Sequence, residues 1–294
     1  MLTACCSVTN DPLFREFSSW SGPIPAGFGA DFVGQMIDLE FQSRNHTVQL
    51  ERLGHSYYPA YPRVNEEIFE WRHLLSSILD AEERFVMFEL GAGYGYWSVA
   101  AACALRIKKP TLSFALTAVE AEPTHFQWMV RNFINNGLSP EKHRLIQAAV
   151  CGNNGGEEII FVAGNPHEWY GQAIVGHADY RQPGMPESYT LQVPTINLEN
   201  LLTGIEWVDY LDMDIQGAEL PAIEAGIAAM TRCVRRAFIA THSAVIDQAL
   251  PEIFYDFGWD ATCLYPCQTT SVTPLGEIAF DDGVQCWVNP TLFS

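Results

Sequence analysis

From Phe85 onward the chain alternates short apolar runs with stretches whose apolar residues recur every three or four positions, and few folds accept that alternation. The runs Phe85–Leu90, Phe114–Glu120, Arg144–Val150, Trp207–Asp212 and Ala237–Thr241 read as strands. Between them Tyr96–Ile107, Thr124–Asn135 and Ala218–Ala229 read as helices, and Ala244–Phe257 as another that accepts Pro251 only with a kink or a late start. Strands separated by helices pair in parallel through right-handed crossovers, so the expectation is an α/β, Rossmann-like doubly wound sheet. The last two runs, Ala261–Tyr265 and Gly283–Val288, leave no room for a helix between them. They are expected to be antiparallel, joined at the Asp281-Asp282-Gly283 turn, which completes a mostly parallel seven-stranded sheet with an antiparallel C-terminal strand. Glu158–Val162 and Tyr189–Val193 read as a side hairpin, within about residues 156–194, around a long loop.

Residues 1–80 form an N-terminal extension with a lead-in helix, and residues 81–294 a single domain. A helix is expected around Phe32–Glu40, and a longer one after Pro62, where Ile68, Trp71, Leu74, Leu75 and Ile78 keep helical spacing. With Lys+Arg 16 against Asp+Glu 35, the formal charge is −19, a field that repels phosphate backbones, so nucleic acid is not an expected partner. No apolar run is long enough to span a bilayer and the first residues lack a signal-peptide pattern, so the expectation is a cytoplasmic protein with no membrane partner. The eight cysteines are scattered without zinc-site spacing and read as reduced thiols.

The ligand signal stands at the end of the first strand: Glu89-Leu90-Gly91-Ala92-Gly93-Tyr94-Gly95-Tyr96, followed at once by a helical pattern. Glycines there let the backbone turn tightly and approach a ligand at a helix N-terminus. The dinucleotide fingerprint would place its third glycine where Tyr96 stands, so a pyrophosphate would meet a bulky ring. Glu89 suits a cationic ammonium group. The next strand ends at Glu120, placed to accept both hydroxyls of a ribose. Together these favour a zwitterionic, phosphate-free nucleoside over a dinucleotide.

Longer elements carry a family resemblance. Glu120-Ala-Glu-Pro-Thr-His-Phe126, Ala148-Ala-Val-Cys-Gly-Asn-Asn-Gly155, Pro194-Thr-Ile-Asn-Leu-Glu-Asn-Leu201 and above all Asp212-Met-Asp214-Ile-Gln-Gly-Ala-Glu219 resemble the FkbM family of methyltransferases. The resemblance covers roughly residues 85–242, plus the ending Asp282-Gly-Val-Gln-Cys-Trp-Val-Asn-Pro290. Two positions depart from the family pattern: Asp212 stands where a lysine is usual, and Ala121 separates Glu120 from Glu122-Pro123. The resemblance implies a class I methyltransferase fold, S-adenosylmethionine as donor, and O-methylation of a sugar or secondary-metabolite hydroxyl. Donor contacts are then expected from Glu89, Gly91, Ala92, Gly93, Gly95, Glu120, Ala121, Ala149 and Asp214.

Methyl transfer from a sulfonium is an in-line displacement that needs alignment and a base. His242 and Asp214, at the ends of the fifth and fourth strands, are the expected catalytic residues, with His242 as general base and Ser243 as a helix cap. A divalent cation such as magnesium, held by Asp214, Glu219 and His242, stands as an alternative. Tyr58, Tyr61, Trp169 and Tyr170 lie in aromatic, Gly/Pro-rich loops and are expected either to meet substrate or to anchor their loops. The expected partner is a small-molecule acceptor, with homo-oligomerisation left open. A short-chain oxidoreductase is excluded, since in YxxxK register Lys108, Lys109 and Lys142 follow Ala104, Leu105 and Leu138. A module that binds the donor without turnover, and N-methylation of a small molecule, remain as alternatives.

Overall fold

The computed structural model describes residues 8, 11–41, 56–57, 61–153, 156, 158–164, 166–167, 172–174 and 189–293. Its centre is a seven-stranded sheet of β1 (Arg84–Leu90), β2 (Ser113–Glu120), β3 (Arg144–Gln147), β4 (Tyr210–Met213), β5 (Arg236–Thr241), β6 (Asp260–Tyr265) and β7 (Gly283–Val288). The spatial order is β6-β7-β5-β4-β1-β2-β3, with β7 antiparallel to both neighbours and every other pair parallel. The order reverses between β1 and β4, and a crevice opens there at the strands' C-terminal ends. The helices are α1 (Glu67–Asp80), α2 (Tyr96–Lys108), α3 (Pro123–Asn135), α4 (Glu219–Cys233) and α5 (Ala244–Asp256).

The period-two alternation of each buried strand divides the interior into two cores. Phe85 and Met87 of β1, Leu116 and Ala118 of β2 and Tyr210 of β4 pack with α1, α2 and α3. Phe88 and Leu90, Val119, and Leu211 and Met213 pack with α4 and α5 on the other face. Asp212 follows the same alternation and points to the face of α1 and α2. The N-terminal extension joins that first core, where Phe14, Phe17, Phe32 and Val33 are buried and Phe32 lies 4.7 Å from the Trp71 ring.

Four details differ from the sequence expectation. Residues 32–40 are not helical: Phe28–Ala30 and Met36–Asp38 form an antiparallel hairpin, followed by a 3-10 turn at Leu39–Phe41. Asp31 Oδ1 accepts from the amides of Val33 and Gln35 and Gly34 takes φ +82, a local turn chemistry that outcompetes the helical spacing. The run Arg144–Val150 divides at Ala148, so that Ala149–Val150 leaves β2 and pairs in parallel with Thr195–Ile196. β6 and β7 are not joined by a simple turn, because Thr269–Thr273 and Gly276–Phe280 form a further hairpin between them. Trp207–Asp212 shifts to Tyr210–Met213, Val208 keeping only a single bridge to Val234. The side hairpin is present, with Leu191 opposite Phe161.

Pro251 sits inside α5 without ending it. Proline has no N–H for the carbonyl four residues back, and Gln285 Nε2 donates to that Asp247 carbonyl at 3.1 Å instead. Ser243 caps the helix, its Oγ accepting from Ile246 N at 3.3 Å. Among the described residues no helix is long and apolar enough to cross a membrane.

Candidate active site

The crevice is a cavity of about 830 Å³, bounded by the ends of β1, β2 and β4, the N-terminal hairpin and the turn before β7. The glycine turn forms its floor. Gly91, Gly93 and Gly95 take φ of +81, +55 and +72, values a side chain resists. At Gly91 there is also no room: a Cβ would lie 1.7 Å from the Asp214 carbonyl oxygen. The turn therefore sits directly on the end of β4, which brings the nucleoside-type motif and Asp214 into one cavity.

Two buried acids hold the turn from behind. Glu89 accepts from Trp97 N at 3.0 Å and Ser98 N at 2.8 Å, binding the exposed amides of the first turn of α2. Glu120 accepts from Gly93 N and Glu122 N, both at 2.7 Å. Burial pushes the Glu89 carboxyl up to about 7 and Glu120 to about 8, although the amide bonds oppose the rise. Glu89 is thus committed to α2, and an ammonium contact from it would use its remaining lone pairs. Ala92, Ala121 and Ala149 line the same cavity, with His125, Phe161 and Ile174 beyond them.

Past β4 the chain makes the turn Ile215-Gln216-Gly217, with Gln216 at φ +52, and Glu219 reaches back into it. Glu219 Oε1 accepts from Gly217 N at 3.0 Å and Ile215 N at 3.2 Å, and lies 2.9 Å from His242 Nδ1. His242 Nε2 is 3.0 Å from Gln216 Nε2, 3.2 Å from Asp214 Oδ1 and 3.7 Å from Asp282 Oδ1. Burial alone would lower the imidazole pKa. The charges and hydrogen bonds of Glu219 and Asp214 outweigh it and raise the value well above the ordinary one. Asp214 is pushed up by burial but held below the ordinary range by its bonds to His242 and Gln216.

The structure places His242 behind the cavity wall and Asp214 on it. The His242 side chain is only 5% exposed and both nitrogens are engaged, whereas the Asp214 side chain is 42% exposed and faces the cavity. Asp214 is the one of the two that lines the cavity, and His242 stands behind it. The carboxylates of Asp214 and Glu219 and a His242 nitrogen lie within 4.8 Å of one another. They approach opposite nitrogens of the ring, however, and one ion cannot be bound by both edges of a single imidazole. As arranged, Glu219 would orient a metal-bound His242 rather than share the ion.

Tyr61 lines the cavity and its hydroxyl donates to the Phe17 carbonyl at 3.3 Å. Tyr58, Trp169 and Tyr170 lie outside the described residues. Sequence reasoning missed Glu70 of α1, Asp31 of the N-terminal hairpin and Asp282 before β7, all of which line the cavity. Glu70 carried a readable signal, an acid flanked in sequence by the apolar Phe69 and Trp71.

The sequence model of the methyltransferase FkbM domain matches residues 89–250, more than half of the chain and the whole stretch from Glu89 to α5. The chain belongs to the FkbM methyltransferase family. A protein of Jannaschia sp. (strain CCS1) named "Putative methyltransferase" is 24% identical over 282 residues, covering 95% of this chain and 98% of that one. Among solved structures, the precorrin-6y C5,15-methyltransferase of Geobacter metallireducens GS-15 is similar, with 13% identity, a TM-score of 0.45 and coverage of 87% of this chain and 97% of that one. The m1A22 tRNA methyltransferase TrmK of B. subtilis matches at 11% identity and a TM-score of 0.38, covering 74% of this chain and 64% of that one. Nothing about this methyltransferase's substrate follows from likenesses of that size.

Proposed function

We propose that this chain transfers a methyl group from S-adenosylmethionine to a hydroxyl of a small molecule, a sugar or secondary metabolite. The observation that supports the reading is the direct seat of the glycine turn on Asp214, so that a glycine-rich floor and a cavity-facing carboxylate share one cavity. The cavity's charge fits the donor: nine carboxyl side chains line it against one arginine, Arg63. That lining suits a sulfonium and an ammonium and repels a pyrophosphate. In this reading Glu120 takes the ribose, Gly91, Ala92, Gly93, Ala121 and Ala149, which line the cavity, allow close backbone approach, and Gly95 shapes the turn.

The donor, when bound, supplies an electrophilic methyl group whose sulfur leaves as a neutral thioether. Asp214 accepts the hydrogen bond of the acceptor hydroxyl and takes its proton as the oxygen–carbon bond forms. His242, fixed through Nδ1 by Glu219, orients Asp214 and balances its charge. No step requires a divalent cation, and EDTA is expected to leave turnover unchanged.

The test is incubation with methyl-labelled S-adenosylmethionine and a panel of sugars and phenols, read by mass spectrometry, with the methylated atom assigned by NMR. Asp214→Asn should bind S-adenosylhomocysteine as the wild type does yet lose transfer by about 100-fold or more. Donor binding without turnover on any acceptor would favour the non-catalytic module, and a methylated nitrogen would move the chemistry to N-methylation.

A further inference from the structure

Two cysteines face each other at the edge of the sheet, apart from the methyl-transfer cavity. Cys263 of β6 and Cys286 of β7 are direct partners in the antiparallel register, which shifts between Ala261 and Cys263 to bring them opposite. Both side chains join the core on the face of α1, and their thiols are in hydrogen-bond contact. Neither lines the cavity. The other described cysteines have partners of another kind: Cys103 meets Arg106, Cys151 meets Asn153, Cys233 donates to the Ala229 carbonyl and Cys267 meets Asp247.

This placement suits a covalent bond. Directly opposed residues of an antiparallel pair hold their Cβ atoms roughly 4.5–5.5 Å apart, and a disulfide needs about 3.5–4.5 Å, so closure asks for a shift of about 1 Å. β6 is the edge strand and carries the register shift, so it moves without displacing another strand. The two sulfurs differ in access. Cys263 is half-buried on a strand whose other face is exposed, while Cys286 is only 2% exposed. Burial, Cys263 itself and the carboxyl groups of Glu70 and Asp212 hold the Cys286 thiol well above the ordinary range, so Cys263 is the sulfur an oxidant meets as thiolate.

We propose that Cys263 and Cys286 are a modification site, a dithiol that a hydroperoxide converts into a cross-strand disulfide tying β6 to β7. The Cys263 sulfur attacks the peroxide, the O–O bond breaks, and Cys263 becomes a sulfenic acid while water or an alcohol leaves. The Cys286 sulfur then attacks the Cys263 sulfur, the S–O bond breaks, and the departing hydroxide takes the Cys286 proton as water. The two thiols lose two electrons and the peroxide gains them. The loop so closed contains the Thr269–Phe280 hairpin and the turn that brings Asp282 to the cavity. Closing it restricts the unfolded chain, and the oxidised protein is the more stable form.

The experiment uses the full chain, reduced, freed of reductant and treated with a modest molar excess of hydrogen peroxide. Remaining thiols are alkylated, and the digest is mapped by mass spectrometry. The expected product is one cross-linked peptide pair joining Cys263 to Cys286, lighter by two hydrogen atoms, opened by dithiothreitol and absent from Cys263→Ala and Cys286→Ala. In Cys286→Ala, dimedone should trap Cys263 as its sulfenic acid. Tm of the oxidised wild type should exceed that of the reduced protein by about 3 °C or more, and dithiothreitol should reverse the gain. The wild-type peptide map decides the question even where a variant fails to fold. Full alkylation of both cysteines after peroxide, pairing of Cys263 with Cys267 instead, or passage of Cys263 to the sulfinic acid without a cross-link overturns the proposal. A Cys263–Cys286 disulfide that leaves Tm unchanged overturns the tie between the strands.

Discussion

Gly91→Ala puts the central contact of the fold under load. At φ +81 an alanine adopts a left-handed conformation that costs roughly 1–2 kcal/mol. Its methyl would start 1.7 Å from the Asp214 carbonyl oxygen, backbone against backbone, so the ends of β1 and β4 must part. Both ends are tied: Asp214 N donates to the Leu90 carbonyl and Gly91 N to the Val119 carbonyl, each at 2.9 Å. Relieving such an overlap costs roughly a further 1–3 kcal/mol, for a total of about 2–5 kcal/mol. In a chain of this size that lowers Tm by roughly 5–15 °C, measurable by circular dichroism or scanning calorimetry. Because the displaced backbone belongs to Asp214, transfer measured below the new Tm should fall further than the loss of folded protein explains. A Tm within about 1 °C of the wild type, with transfer unchanged, would refute the claim that the turn rests on β4.

Glu89 and Glu120 make ligand-free stability fall as pH rises. Their folded values of about 7 and about 8 lie above the ordinary carboxyl value, so the folded state holds more protons across that interval. Tm should therefore drop between about pH 4.5, the ordinary value, and about pH 8, and Glu120→Gln should flatten the profile; a Tm that climbs over that range contradicts the burial assigned to these acids. Glu219→Ala strips His242, Ile215 N and Gly217 N of one shared acceptor, and chemical denaturation should show a loss of about 3–5 kcal/mol, partly recovered in Glu219→Gln. Gln285→Leu leaves both the Asp247 carbonyl above Pro251 and the Trp287 indole N–H unpaired and should cost about 1–3 kcal/mol or more; full stability would mean that both find other partners.

The strands and helices of the sheet were readable because each buried strand carries a compact apolar run and each helix a wide apolar face. Glu89, Glu120 and Asp214 were readable because the parallel topology aims strand ends into one crevice. The hairpin at Phe28–Asp38 was not, since Phe32, Val33, Ile37 and Phe41 mimic helical spacing while Asp31 and Gly34 set the turn. The hairpin between β6 and β7 was hidden by its Thr- and Ser-rich composition, and it is this hairpin that delivers Asp282 to the cavity. The relation of His242 to Asp214 was unreadable for a different reason. Which of the two faces the acceptor depends on the left-handed turn at Gln216 and on Glu219 folding back, and spacing along the chain encodes neither.

Calorimetric titration of the purified chain with S-adenosylmethionine, S-adenosylhomocysteine and NAD, repeated with Gly93→Arg, tests the donor site most directly. The geometry predicts dissociation constants on the order of micromolar for the two adenosyl ligands, none for NAD, and loss of both on placing arginine at Gly93, whose amide Glu120 holds. Binding of NAD, or of none of the three, would contradict the account and leave the glycine turn as architecture alone.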